Sequence, residues 1–167
     1  KKLGLVGHSE GGLIAPMVAA RNPRVSFIVL LAGPGIRGDE LLLLQTAALA
    51  GASGAPENEI RRSAALNREL YAIVLAECDP VRIKARSRAI LAADIDSRPE
   101  LSPDEKAAAK LSIDGIIAPL SSAWLKVFLG LDPKPLLEKL AIPVLALNGT
   151  RDLQVPAREN LAAISAA

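Results

Sequence analysis

The stretch Leu3-Gly4-Leu5-Val6-Gly7-His8-Ser9-Glu10-Gly11-Gly12-Leu13-Ile14-Ala15 decides how this chain is read. A short apolar run enters a G-x-S-x-G pattern, and a helix-like run leaves it. Strand, tight turn, helix is the context in which that pattern presents a nucleophilic serine. Gly7 and Gly11 flank the serine, where a Cβ is expected to clash with the neighbouring strand or helix. Ser9 is then held at the tip, in a strained backbone conformation, with its hydroxyl exposed. The following helix points its amino end at the site. Its first N–H groups, starting with that of Glu10, are candidates to stabilise an oxyanion. The bland alternative is a Gly-rich strand-to-helix turn with no chemistry, or one that binds a phosphate. His8 sits next to the serine in the turn and points away from it, so packing or a hydrogen bond beneath the turn is its expected role.

Outward from this turn, the helix is expected to run from Glu10 to about Arg21 and stop before Asn22-Pro23. Pro16 falls inside it, where a proline fits only near the first turn or with a kink. Val25-Ser26-Phe27-Ile28-Val29-Leu30-Leu31-Ala32 is a nearly continuous apolar run, the pattern of a parallel strand covered on both faces. Gly33-Pro34-Gly35 closes it, and the three elements form a right-handed βαβ unit. Between about Arg37 and Leu140 the periods are helical, with helices expected near 39–50, 57–77, 81–93, 103–117, 121–129 and 135–140. Ser102-Pro103-Asp104-Glu105 reads as a capping box with proline at the first helical position. Strand character returns at Ile142-Pro143-Val144-Leu145-Ala146-Leu147-Asn148, with Pro143 at its start. A loop over 149–156 and a helix from Ala157 follow. The chain thus divides into an α/β core over 1–36, a helical cap or lid insertion over 37–140, and a return to the α/β core over 141–167. A helical insertion that long between strands is commonly a lid over a site.

The 167 residues are enough for a compact domain with a core, and half of them are hydrophobic. Twenty basic residues face eighteen acidic ones, scattered rather than clustered, which gives no nucleic-acid footprint. Phe27, Tyr71, Trp124 and Phe128 are too few for a base-stacking platform. Cys78 stands alone, cannot form an internal disulfide, and reads as a packed thiol. No apolar run reaches the length of a membrane span. Asp94, Asp96 and Asp132 lack metal-ligand spacing, and no cofactor or metal is indicated. The chain starts on Lys1-Lys2 directly before a strand and stops inside a helix, so it is expected to be an internal piece of a longer protein.

Three stretches together resemble the α/β-hydrolase superfamily: Leu5–Gly12, Phe27–Gly35 and Ile142–Asp152. Within it the chain looks most like bacterial serine hydrolases of the carboxylesterase and serine-aminopeptidase-like groups. The resemblance implies a partial α/β-hydrolase fold, a mostly parallel sheet with a helical cap insertion. Trp124-Leu125-Lys126-Val127-Phe128-Leu129 and Asp132-Pro133 resemble the cap in outline. The family order is Ser, then Asp or Glu, then His. Ser9 matches the nucleophile and Asp152 the acid that orients the histidine. Taken alone, Asp152 also suits a turn or helix-capping aspartate. The family's histidine follows one more strand beyond the acid loop, and part of its oxyanion hole lies upstream of the serine turn, so both are expected outside these residues.

The expected function is a serine hydrolase that cleaves an ester or related acyl bond of a small substrate through an acyl-enzyme. An aminopeptidase-type serine peptidase and a non-catalytic ligand-binding protein on the same fold are the alternatives. Trp124 and Phe128, at i and i+4, are candidates for lining the acyl pocket, with core packing the more ordinary use.

Overall fold

Strand β1 (Leu3–His8) runs through the serine turn into helix α1 (Gly11–Ala19), and β2 (Val25–Leu31) follows. These come from a computed structural model that describes residues 2–167, so that Lys1, the first residue of the 1–36 segment, lies outside it. Strand β3 (Val144–Leu147) comes after a long helical excursion. The sheet order is β1-β2-β3, all parallel, with Val6 opposite Val29 and Val29 opposite Leu145. Ile28 donates its N–H to Pro143 at 3.0 Å, so the proline sits just before the strand and serves as an acceptor only. The structure is therefore mixed α/β, with a small parallel sheet and a helical insertion between its second and third strands.

Helices α2 (Gly38–Ala52), α8 (Lys134–Leu137) and α9 (Ala157–Ala166) belong with this sheet in one compact unit, formed by the residues up to Gly54 and by Leu131–Ala167. Its core joins Ile28 and Leu30 of the central strand to Ala15 of α1 and Leu137 of α8. Leu5, Ala146 and Ile164 pack against that cluster. Each such Ile or Leu contributes about 1.5–3 kcal/mol when removed from water. Pleat and register place Val6 and His8, Phe27 and Val29, and Leu145 and Leu147 on the opposite face. Among the described residues that face is covered less than the apolar run of β2 suggests: Val29 is half-buried, but Val6 is 68% exposed and Leu147 50%. The reason is topological, because the core residues of α1, α8 and α9 all gather on the other side. Gly4 lies opposite Phe27 on the open face, and the phenyl ring occupies the space a Cβ would need.

Helix α1 starts one residue later than expected and ends two earlier. It remains helical through Pro16, which sits in its second turn and is buried.

The second compact unit spans Ala55–Gly130. It is narrower than the 37–140 insertion, since α2 and α8 group with the sheet. It contains α3 (Glu57–Ala76), α4 (Pro80–Asp96), α5 (Pro103–Leu111), α6 (Ile113–Leu120) and α7 (Ala123–Gly130). Leu70, Ile73 and Val74 of α3, Ile83 and Leu91 of α4, and Ile113, Ile117 and Leu120 of α6 form buried stripes at helical spacing. The single helix expected over 103–117 is broken at Ser112, which ends α5 and begins α6 while staying close to helical geometry. The capping box is present, with Ser102 N–H donating to Glu105 at 2.8 Å and Glu105 N–H donating to the Ser102 hydroxyl at 3.3 Å. Burial in this unit pushes the Tyr71 phenol above its ordinary value.

Candidate active site

Ser9 follows the last residue of β1 and has φ +53°, a left-handed conformation that costs a non-glycine residue about 1–2 kcal/mol. Its surroundings hold it there. Ser9 donates its N–H to Leu31 at 2.9 Å, and Gly12 donates its N–H back to the Ser9 carbonyl at 2.8 Å. A Cβ on Gly7 would stand 2.1 Å from the carbonyl oxygen of Gly11, so glycine at position 7 is required by the turn. Gly11 is different. A Cβ there would meet nothing within 4 Å, which corrects the expectation that both flanking glycines answer a clash. The second glycine with a steric reason is Gly12, whose Cβ would lie 2.4 Å from the Cα of Gly33. The turn is closed from below by that contact, with the first turn of α1 resting on the segment that leaves β2.

Glu10 is the N-cap residue of α1, so its backbone N–H lies at the positive end of the helix. His8 is exposed on the open face of the sheet. It is not packed or bonded beneath the turn, because little among the described residues covers that face. Ser9 is partly buried, and its hydroxyl makes no hydrogen bond among the described residues.

Asp152 lies in the loop between β3 and α9. Its Oδ1 accepts N–H bonds from Gln154 at 2.9 Å and Val155 at 3.0 Å, and its own N–H donates to Gly149 at 3.1 Å. The carboxylate therefore organises its own loop, and its Oδ2 accepts no hydrogen bond among the described residues. Two bonds on one oxygen fix the plane of the carboxylate. Because all three strands are parallel, Ser9 and Asp152 both emerge at the carboxyl edge of the sheet, two strands apart. At ordinary strand spacing that is about 10 Å between strand axes. The carboxyl edge is where ligands of open parallel sheets bind.

Three further residues at this edge have a structural part that the sequence does not single out. Ala32, directly after β2, has φ +48° and donates its N–H to Leu147 at 2.8 Å. Asn148 donates from Nδ2 to the Val155 carbonyl at 2.7 Å and steadies the acid loop from the strand side. Asn160 of α9 is fully buried. Its Oδ1 accepts the Gly35 N–H at 2.8 Å and its Nδ2 donates to the Pro156 carbonyl at 2.9 Å. A polar residue four positions before Ile164 on one helix face is the only hint the sequence offers for it.

The helical unit places its candidate residues differently. Trp124 and Phe128 stack, with ring centroids 5.1 Å apart and planes inclined by 20°. Phe128 is buried in the core of that unit, while Trp124 is 54% exposed. Cys78 is not a packed thiol: it is exposed at the turn into α4, with the Lys126 ammonium 3.3 Å from its Sγ.

Comparison of the chain with protein-family models, curated proteins and solved structures finds no match to any of them. The geometry of the sheet edge alone carries the functional argument.

Proposed function

We propose that this chain carries the nucleophile and acid of an α/β-hydrolase-type serine hydrolase acting on an ester or related acyl bond of a small substrate. The observation that carries the reading is the left-handed Ser9 between a parallel strand and a helix, with Gly7 packed against the Gly11 carbonyl. Strained backbone at a single serine, held by bonds on both sides, is what a presented nucleophile requires. The strand order adds support, since the serine strand, an intervening strand and the aspartate strand lie side by side.

In this mechanism Ser9 Oγ attacks the acyl carbon. The carbonyl oxygen becomes an oxyanion at the amino end of α1, where the Glu10 N–H and the helix dipole favour negative charge. The bond to the leaving alkoxide breaks and the acyl-enzyme forms. The mechanism calls for a histidine base to take the serine proton and deliver it to the alkoxide, with Asp152 holding its imidazole in one tautomer. Water then attacks the acyl-enzyme by the same route in reverse. The free second oxygen of Asp152 supports that role, because the loop engages only the first.

The test is turnover of short-chain aryl esters by the protein in its natural full length. The expected result is hydrolysis that Ser9→Ala abolishes. Hydrolysis that persists in Ser9→Ala would reassign the nucleophile.

A further inference from the structure

The carboxamide of Asn160 bonds to the segment that leaves β2 and to Pro156, the residue that ends the Asp152 loop and caps α9. On one side it accepts the N–H of Gly35, a residue 125 positions away in the chain. Gly35 is held close, since a Cβ on it would stand 2.3 Å from the Asn160 carbonyl oxygen. Two residues before it, Gly33 abuts Gly12, and Gly12 donates its N–H to the Ser9 carbonyl. On the other side, Nδ2 donates to Pro156, at the exit of the Asp152 loop. The next carbonyl back, that of Val155, takes the Asn148 bond, and the Val155 N–H is held by the Asp152 carboxylate. Asn160 has no water contact, so each of its bonds is made inside the fold.

We propose that Asn160 is a positioning residue that ties the Ser9 turn to the Asp152 loop, so that one buried carboxamide sets the place of both the nucleophile and the acid. The inference rests on the hydrolase reading for its catalytic meaning. The mechanical coupling stands on the bonds themselves. The carboxamide serves both sides, accepting from Gly35 and adding a second donor to the Pro156 carbonyl, which also takes the backbone N–H of Asn160 at 3.3 Å. Aspartate keeps the first and, when ionised, loses the second.

The test uses the natural full-length protein with Asn160→Ala and Asn160→Asp. Backbone amide exchange is read at Ser9, Gly12, Gln154 and Val155, with Ile28 and Leu30 as core references. In Asn160→Ala, exchange at all four site amides is expected to rise about tenfold or more while the two core amides are unchanged, as in local opening. In Asn160→Asp, only Gln154 and Val155 are expected to respond. The rate at which a fluorophosphonate modifies Ser9 is expected to fall about tenfold in Asn160→Ala. Faster exchange confined to Gly35, or an equal rise at Ile28 and Leu30, overturns the coupling. If the fluorophosphonate leaves Ser9 of the unsubstituted protein untouched, the hydrolase reading fails, and the exchange pattern still decides the coupling.

Discussion

Ser9 and Ala32 stand in the same place on neighbouring strands. Each is the first residue beyond its strand, and each has a left-handed φ, +53° and +48°. Each donates its N–H to the last residue of the next strand, Leu31 for Ser9 and Leu147 for Ala32. They are the only non-glycine residues with positive φ among the described residues. The strain is thus confined to the carboxyl edge of the sheet, where the candidate site lies.

Ala32 has no nucleophilic group, so its strain is open to removal without touching the chemistry. Ala32→Gly is expected to stabilise the protein by up to about 1 kcal/mol, the left-handed penalty less the extra chain entropy of glycine. Urea unfolding measures this. A loss of stability in Ala32→Gly would show that the conformation is not strained.

The two glycines beside Ser9 are expected to respond oppositely to alanine. Gly7→Ala drives a methyl into the Gly11 carbonyl and is expected to cost about 1–3 kcal/mol, as overpacking does. Gly11→Ala meets open space at the first position of α1 and is expected to be neutral or to gain up to about 1 kcal/mol in helix propensity. The pair is compared by urea midpoint at fixed slope. Equal losses in the two variants contradict the packing described.

Asp152 has a structural and a proposed catalytic role that one substitution separates. Asp152→Asn retains an oxygen for the Gln154 and Val155 N–H groups, so folding stability is expected to change little. Ester turnover is expected to fall by about 10⁴-fold, as when a triad imidazole is held in the wrong tautomer. Full turnover in Asp152→Asn leaves the residue with its loop role alone.

Acid weakens the start of α5 in a defined window. The Ser102 backbone N–H, helped by its hydroxyl, holds the Glu105 carboxyl below its ordinary range. A carboxyl lowered in the folded state stabilises above its unfolded pKa, and that contribution is lost as the pH falls through the lowered folded value. Urea midpoints of the protein and of Glu105→Gln are expected to differ at neutral pH and to draw together as the pH is lowered step by step through the acid range. A gap that persists in acid contradicts the assignment.

The sequence is legible where local chemistry dictates structure. The glycine at position 7, the apolar run of β2, Pro143 ahead of β3 and the capping box at Ser102 each follow from steric or hydrogen-bonding rules that act within a few residues. What the sequence hid is long-range. Asn160 meets Gly35 across 125 positions, and nothing near either residue announces the other. The apolar face of β2 looks the same in the sequence whether or not anything covers it, and among the described residues one face is largely open. The exposure of His8 is hidden for the same reason, because its environment is set by which face the helices choose. The break at Ser112 leaves no mark in the sequence because its backbone stays near helical geometry, so the apolar period runs through it.

The most direct test of Ser9 as a nucleophile is mass-spectrometric mapping of a fluorophosphonate adduct on the natural full-length protein. The account predicts one adduct, on the peptide containing Gly7-His8-Ser9-Glu10-Gly11, that disappears when the protein is unfolded before labelling and is absent in Ser9→Ala. An intact, folded protein with no adduct on that peptide, or with one that survives Ser9→Ala, contradicts it.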